Sequence, residues 1–313
     1  MESNPTGPRA GSTSISSASS RTLSRPQTHS KRKSGSARLP RGLTAAGLSA
    51  RKSLGQHFLT DRRILRRVAS ATRLTAADTV VEVGAGLGAL TSELAKRAAR
   101  VIAVEVDEAL CNHLCRRFEQ SPNVTVVCRD VLSVEPADLG VSPPYVVAGN
   151  LPYNIGAAVL RLFLEAKEKP ERLIVMLQRE VAENIVARPG RLSLLALSVQ
   201  LYAEPHLLFT VPPSAFRPPP KVESAVLRLD VRERPAVAVD DTRAFFRFLR
   251  AGFSSPRKQL RNVLSHALDL DARLVEEVLR RAGIEPSLRA QALTLQQWAS
   301  LYHAFESIEG NAS

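Results

Sequence analysis

Between about residue 53 and residue 230, short runs of β-branched and apolar residues alternate with longer stretches whose apolar positions recur every three to four residues. The runs at 79–83, 101–106, 124–128, 145–148, 173–177 and 225–229 read as strands, and 61–72, 89–98, 108–119 and 155–166 as helices. Strands alternating with helices predict an α/β fold with a doubly wound, mostly parallel sheet over residues 51–235. Residues 231–240, with Pro235 and little periodicity, read as a linker. From 241 to 305 the spacing is helical and no strand is expected, so residues 236–313 form a small C-terminal α-helical domain. No repeat of 20 to 50 residues is visible.

Composition changes this picture at the N-terminus. Residues 1–50 hold twelve Ser, eight Lys or Arg and one acid, Glu2, with no apolar periodicity, and are expected to be a disordered basic tail. The whole chain of 313 residues carries +13, of which this tail supplies 8 − 1 = +7, leaving 13 − 7 = +6 for the folded part. Such a balance points to a polyanionic partner, nucleic acid first, and says nothing about fold. No stretch approaches the roughly 20 apolar residues of a membrane span. The leader lacks a clear amphipathic helix; a cytoplasmic location is expected, with import into an organelle left open. Cys111, Cys115 and Cys128 are too few, and odd in number, for a disulfide framework, which suggests a reducing compartment. Cys111 and Cys115 read as small core residues; with His113 pointing away from them, no metal site is expected.

The segment Val80-Val81-Glu82-Val83-Gly84-Ala85-Gly86-Leu87-Gly88 puts a glycine-rich turn between a buried strand and a helix. It suits either a tight turn or the close approach of a cofactor to backbone. Its G-x-G-x-G spacing does not meet the dinucleotide fingerprint. Glu105 ends the next strand, 21 residues after Gly84, where a carboxylate can accept hydrogen bonds from ribose hydroxyls. Asp130 follows the third strand, placed to accept from an adenine amino group. Each alone has a plain reading as a strand-end or capping carboxylate. Together, three successive strand ends suit one nucleoside-like ligand, and S-adenosylmethionine better than NAD.

After the fourth strand comes Gly149-Asn150-Leu151-Pro152-Tyr153-Asn154-Ile155. An exocyclic adenine amine is a poor nucleophile because its lone pair is delocalised into the ring. If the Asn150 side-chain carbonyl and the Leu151 backbone carbonyl both accept its hydrogens, they favour pyramidalisation and aim the lone pair, so positioning supplies most of the catalysis. Pro152 fixes φ so that the Leu151 carbonyl can point inward, and Tyr153 offers a ring face to the base.

These residues, with Gly55-Gln56-His57-Phe58-Leu59 before the first strand and Phe216-Arg217-Pro218-Pro219-Pro220-Lys221-Val222-Glu223-Ser224 late in the sheet, closely resemble the KsgA-type small-subunit rRNA adenine dimethyltransferases from about Lys52 to Phe305. The resemblance implies a Rossmann-like methyltransferase sheet and N6,N6-dimethylation of two adjacent adenines in a hairpin loop near the 3′ end of small-subunit rRNA, within a pre-ribosomal particle. It places cofactor contacts on His57, Leu59, Gly84, Gly86, Glu105, Asp130 and Asn150, catalysis on Asn150, Leu151, Pro152 and Tyr153, and target-base stacking on Tyr153 and Phe216. His57 departs from the more common asparagine, and Gln291 stands where glutamate is frequent. A monomer is expected.

Arg243, Arg247, Arg250, Arg257, Lys258 and Arg261 fall between residues 243 and 262 with no acid among them, and the first three share one helical face able to follow a phosphate backbone. Phe245, Phe246, Phe248 and Phe253 read as its buried side. Arg62, Arg63, Arg66 and Arg67 suggest a second basic edge. Two alternatives stay open: an Erm-type enzyme acting on one adenine of large-subunit rRNA, and a non-catalytic assembly factor on the same fold.

Overall fold

Alternation within the strands decides which helices cover which side of the sheet. The computed structural model describes residues 56–312; the basic leader lies outside the described residues. The strands are β1 (Phe58–Leu59), β2 (Thr79–Val83), β3 (Arg100–Glu105), β4 (Val124–Cys128), β5 (Val146–Asn150), β6 (Arg172–Gln178), β7 (Ala203–Val211), β8 (Phe216–Arg217) and β9 (Ser224–Val231). Seven form one sheet in the order β4-β3-β2-β5-β6-β9-β7, parallel through β6, with β9 antiparallel to both of its neighbours. β1 and β8 pair separately as an antiparallel ribbon, Phe58 opposite Arg217 and Leu59 opposite Phe216.

Successive residues point to opposite faces. Val80, Val101, Val146, Ile174 and Met176 meet α1 (Arg62–Ala71) and α2 (Ala89–Leu94), while Ala103 meets α3 (Glu108–Arg117) on that same side. Val81, Ile102, Val147, Leu173 and Val175 face α4 (Gly156–Glu165), α5 (Arg179–Ile185) and α6 (Leu194–Tyr202). That second cluster continues into α7 (Thr242–Gly252), α8 (Leu260–Leu268), α9 (Ala272–Arg281) and α10 (Leu295–Ala312), through the fully buried Phe245, Leu249 and Trp298. The helical end is thus packed onto the sheet. Residues 232–236, expected as linker, are fastened to α6, Arg232 N–H donating to the Tyr202 carbonyl and Ala236 N–H to Leu201, both at 2.8 Å.

Several features depart from the sequence expectation. β7 was not anticipated, since Glu204, Pro205 and His206 break its alternation; it lies at the sheet edge, where a proline lacking its N–H is tolerated. α2 stops at Leu94 rather than near residue 98, and the Asn123 amide donates to the Ala95 and Ala98 carbonyls just beyond, at 2.9 and 3.1 Å. Cys111 and Cys128 form a disulfide, Cα atoms 5.8 Å apart, because α3 packs beside the end of β4; Cys115 is exposed, not core. No helix among the described residues is long and apolar enough to cross a membrane.

Candidate active site

A cavity of about 310 Å³ opens at the carboxyl ends of β2, β3 and β5, where a doubly wound sheet places its ligands. The turn after β2 forms one wall. Gly84 and Gly86 both have positive φ, +72° and +57°, and a Cβ on Gly86 would lie 3.2 Å from the Phe58 ring, so larger residues are excluded by backbone and space together. Gly84 lines the cavity; Gly86, expected at the cofactor, lies behind its wall, with its N–H donating to Glu105 Oε2 at 2.8 Å. Gly86 therefore positions the carboxylate.

Glu105 is buried at the cavity wall. Its Oε1 accepts from Val106 N–H and Asp107 N–H at 3.0 and 3.1 Å, so three backbone donors hold the group rigidly. Burial raises its pKa, and the three donors oppose that rise. Val106 follows at the lip, an apolar side chain 54% exposed between two acids. Asp130 also lines the cavity, and caps a 3₁₀ turn by accepting from Leu132 N–H at 3.0 Å. Its capping and ligand-facing readings coexist in one position. Val131 beside it is buried and faces the same space.

Asn150 stands at the end of β5, with its Nδ2 donating to the His57 backbone carbonyl at 2.9 Å. This assigns the amide: nitrogen is held by the β1 segment, and Oδ1 is left as the acceptor of this cavity-lining residue. Leu151 N–H donates to the Met176 carbonyl at 3.1 Å, and no hydrogen bond among the described residues ends on the Leu151 carbonyl. Pro152 begins the turn into α4, its carbonyl accepting from Ile155 and Gly156 N–H, both at 3.1 Å. The half-buried Tyr153 ring is fixed twice. Its hydroxyl lies 3.0 Å from Ser224 Oγ at the start of β9, and its ring stacks with His57 at 5.9 Å between centroids and 29° between planes. The His57 imidazole donates from Nδ1 to the Pro218 carbonyl at 2.8 Å, tying the ribbon to this turn.

Phe216 requires a correction. It is fully buried in the cluster beneath α1, with Leu59, Leu65 and Val211, and presents no face to the cavity. Its alternation on β8 turns it inward, opposite Leu59, and the expected base-stacking role falls away. Leu59 is itself buried at the cavity wall. Glu82, not singled out by sequence, lies on β2 at the cavity floor, 1% exposed, with Oε2 lacking a hydrogen-bond partner among the described residues. Desolvation pushes its pKa to about 8, with Glu105 adding and Thr91 and Arg117 opposing. A carboxylate inside an apolar strand was the available signal.

On the helical end, Arg243, Arg247 and Arg250 are exposed along α7, as are Arg257 and Lys258 in the following turn. Phe245 and Phe248 form the buried side, with Phe246 and Phe253 partly covered. Arg261 differs from the expectation, since Glu276 holds it in an ion pair at 2.8 Å.

A sheet of this topology, with a nucleoside-sized cavity at its carboxyl edge and an oriented amide beside a proline and an aromatic ring, defines a Rossmann-like methyltransferase. The model of the ribosomal RNA adenine dimethylase family matches residues 47–307, and the chain belongs to that family. It is 46% identical over 255 residues to the ribosomal RNA small subunit methyltransferase A of Dehalococcoides mccartyi, covering 81% of this chain and 88% of that one. The Geobacter metallireducens protein of the same name is 41% identical over 270 residues, covering 84% and 98%. Among solved structures, the 23S rRNA methyltransferase ErmE aligns with a TM-score of 0.64 at 29% identity, over 80% of this chain and 99% of that one. A Plasmodium falciparum dimethyladenosine transferase shares the fold, with a TM-score of 0.68 at 23% identity over 80% and 98%.

Proposed function

We propose that this protein uses S-adenosylmethionine to dimethylate the N6 amines of two adjacent adenines in the 3′-terminal hairpin loop of small-subunit rRNA, acting as a monomer on a pre-ribosomal particle in the cytoplasm. The observation that carries the reading is the Asn150 amide at the cavity wall, whose nitrogen is committed to the His57 carbonyl, leaving Oδ1, with the Leu151 carbonyl of the next lining residue, to accept from a substrate. Names of relatives at 41–46% identity support the small-subunit substrate.

When bound, S-adenosylmethionine supplies an electrophilic methyl group on a cationic sulfur. The groups already present suit it: Glu105 is rigidly held where ribose hydroxyls would bond, Val106 and Val131 are apolar walls for a purine, and Asp130 can accept from its amino group. The buried, unpartnered Glu82 oxygen suits a ligand that carries positive charge. Two carbonyl acceptors on the target amine hold its lone pair out of the ring plane, and neither is charged, so catalysis is by positioning. The face of Tyr153 turned from His57 receives the everted adenine, and stacking worth about 1–3 kcal/mol offsets much of the unstacking cost. Residues 236–313 form the RNA-contacting end, through Arg243, Arg247, Arg250, Arg257 and Lys258.

The test is methylation of small- and large-subunit particles from cells lacking the enzyme, read by mass spectrometry of the rRNA. Two N6,N6-dimethyladenines near the small-subunit 3′ end are expected. Modification of one adenine in the large subunit, or of none, overturns the reading.

A further inference from the structure

The ten-residue helix α1 contains Arg62, Arg63, Arg66 and Arg67 and no acid. Its buried side is Leu65, Val68 and Ala69, and Leu65 and Val68 also line the cavity. The arginines stand on the opposite face, all four exposed. Arg67 is committed to Phe209, its guanidinium 3.7 Å from the ring centroid. Arg62, Arg63 and Arg66 make no ion pair among the described residues, and the carboxylate beside them, Asp61, is occupied in capping the helix through Arg63 and Ile64 N–H. Several other helical arginines are neutralised: Arg161, Arg179, Arg280 and Arg281 each pair with a glutamate four residues away.

The placement also works against the helix. Cations are disfavoured near a helix N-terminus, where the macrodipole is positive. α3 follows the ordinary rule, with Glu108 in its first turn and Arg116 and Arg117 in its last. α1 reverses it, which points to a partner that repays the arrangement. The N-terminal end of α1 is also the end nearer the cavity, since Leu59 lines the cavity while Thr72, at the other end, accepts from Arg172 at the start of β6.

Resting on the rRNA methyltransferase reading above, we infer that Arg62, Arg63 and Arg66 form a second RNA-binding surface that grips the phosphate backbone flanking the target adenines. α1 packs on the sheet face opposite the one that carries α7. On this reading the RNA is contacted from both faces of the sheet, by α7 and its following turn on one and by α1 on the other. Two separated phosphate grips fix the direction of the strand across the mouth, which a single basic face cannot do.

The test compares wild type with the triple variant Arg62→Ala, Arg63→Ala, Arg66→Ala. Binding to a hairpin RNA carrying two adjacent loop adenines is followed by fluorescence anisotropy from about 50 to about 300 mM KCl, where each lost phosphate contact lowers the log–log salt slope by about 0.7 to 0.9. The expected result is a slope shallower by about 2 to 3, affinity reduced about 10- to 100-fold at the low-salt end, and unchanged S-adenosylmethionine affinity. The triple Lys variant keeps the steep slope. An unaltered slope in the alanine variant overturns the inference, as does a loss seen on particles but not on the hairpin, which would assign the surface to a ribosomal protein. If wild type fails to methylate small-subunit particles, the functional reading itself falls; if it methylates them and the slope is unaltered, only the second grip does.

Discussion

Replacing Glu82 with glutamine keeps the shape of the cavity floor and removes its titration. In the folded chain this carboxyl has its pKa pushed to about 8, against 4.5 for the ordinary side chain, chiefly because burial penalises the charged form. The folded value lies above the unfolded one, so the associated stability is complete below pH 4.5 and is lost as pH rises through about 8. Each pH unit in that window removes about 1.4 kcal/mol, giving about 3 kcal/mol by pH 7 and a ceiling of roughly 5 kcal/mol by pH 8. Glutamine buries an amide of similar size without this dependence. Glu82→Gln is thus expected to match wild type within about 1–2 kcal/mol near the acid end and to exceed it by about 3 kcal/mol near neutrality. Urea unfolding followed by circular dichroism, without methyl donor, between about pH 5 and 8 measures the difference. A constant offset between the two proteins across that range would refute the burial argument. With S-adenosylmethionine present the lead of the variant narrows, since the donor's cationic groups stabilise an ionised carboxylate. The variant is expected to bind it about tenfold more weakly at the alkaline end, a loss of about 1.4 kcal/mol read by calorimetry.

Asn150→Ala removes one of two acceptors from the amine and should lower single-turnover methylation at least about 100-fold while RNA affinity, measured by anisotropy, stays within about twofold. Tyr153→Ala should lose about 1–3 kcal/mol of kcat/KM for RNA with the donor affinity intact, and Tyr153→Phe or Ser224→Ala, which break the same 3.0 Å contact, should show smaller losses that do not add in the double variant. Gly86→Ala forces a side chain into positive φ against Phe58 and disturbs the Glu105 anchor, so calorimetry should show donor binding weakened about tenfold or more. Phe216→Ala should cost about 3–5 kcal/mol of folding stability in urea, the signature of a core residue.

How far the residues foretold the molecule depends on whether each signal was local. The strands bearing Glu105 and Asn150 were legible because parallel strands buried on both faces leave β-branched runs that little else produces. The turn at 84–88 was legible because glycine is required by the backbone itself. β7 was not, since an edge strand need not alternate cleanly, and the β1–β8 ribbon was not, since two-residue strands carry no period. The same divide runs through the cavity. Asn150 announced itself through its neighbours, but what orients it is the carbonyl of His57, 93 residues earlier in the chain. No pattern in the sequence encodes a backbone acceptor brought across by a separate ribbon. Phe216 misled for the matching reason: its motif identified an aromatic near the site, while the register of β8 against β1, a tertiary fact, decided that the ring turns into the core. Side-chain chemistry could be read residue by residue, whereas the direction each group faces was settled by pairing between distant segments, and a positioning catalyst depends on direction most of all.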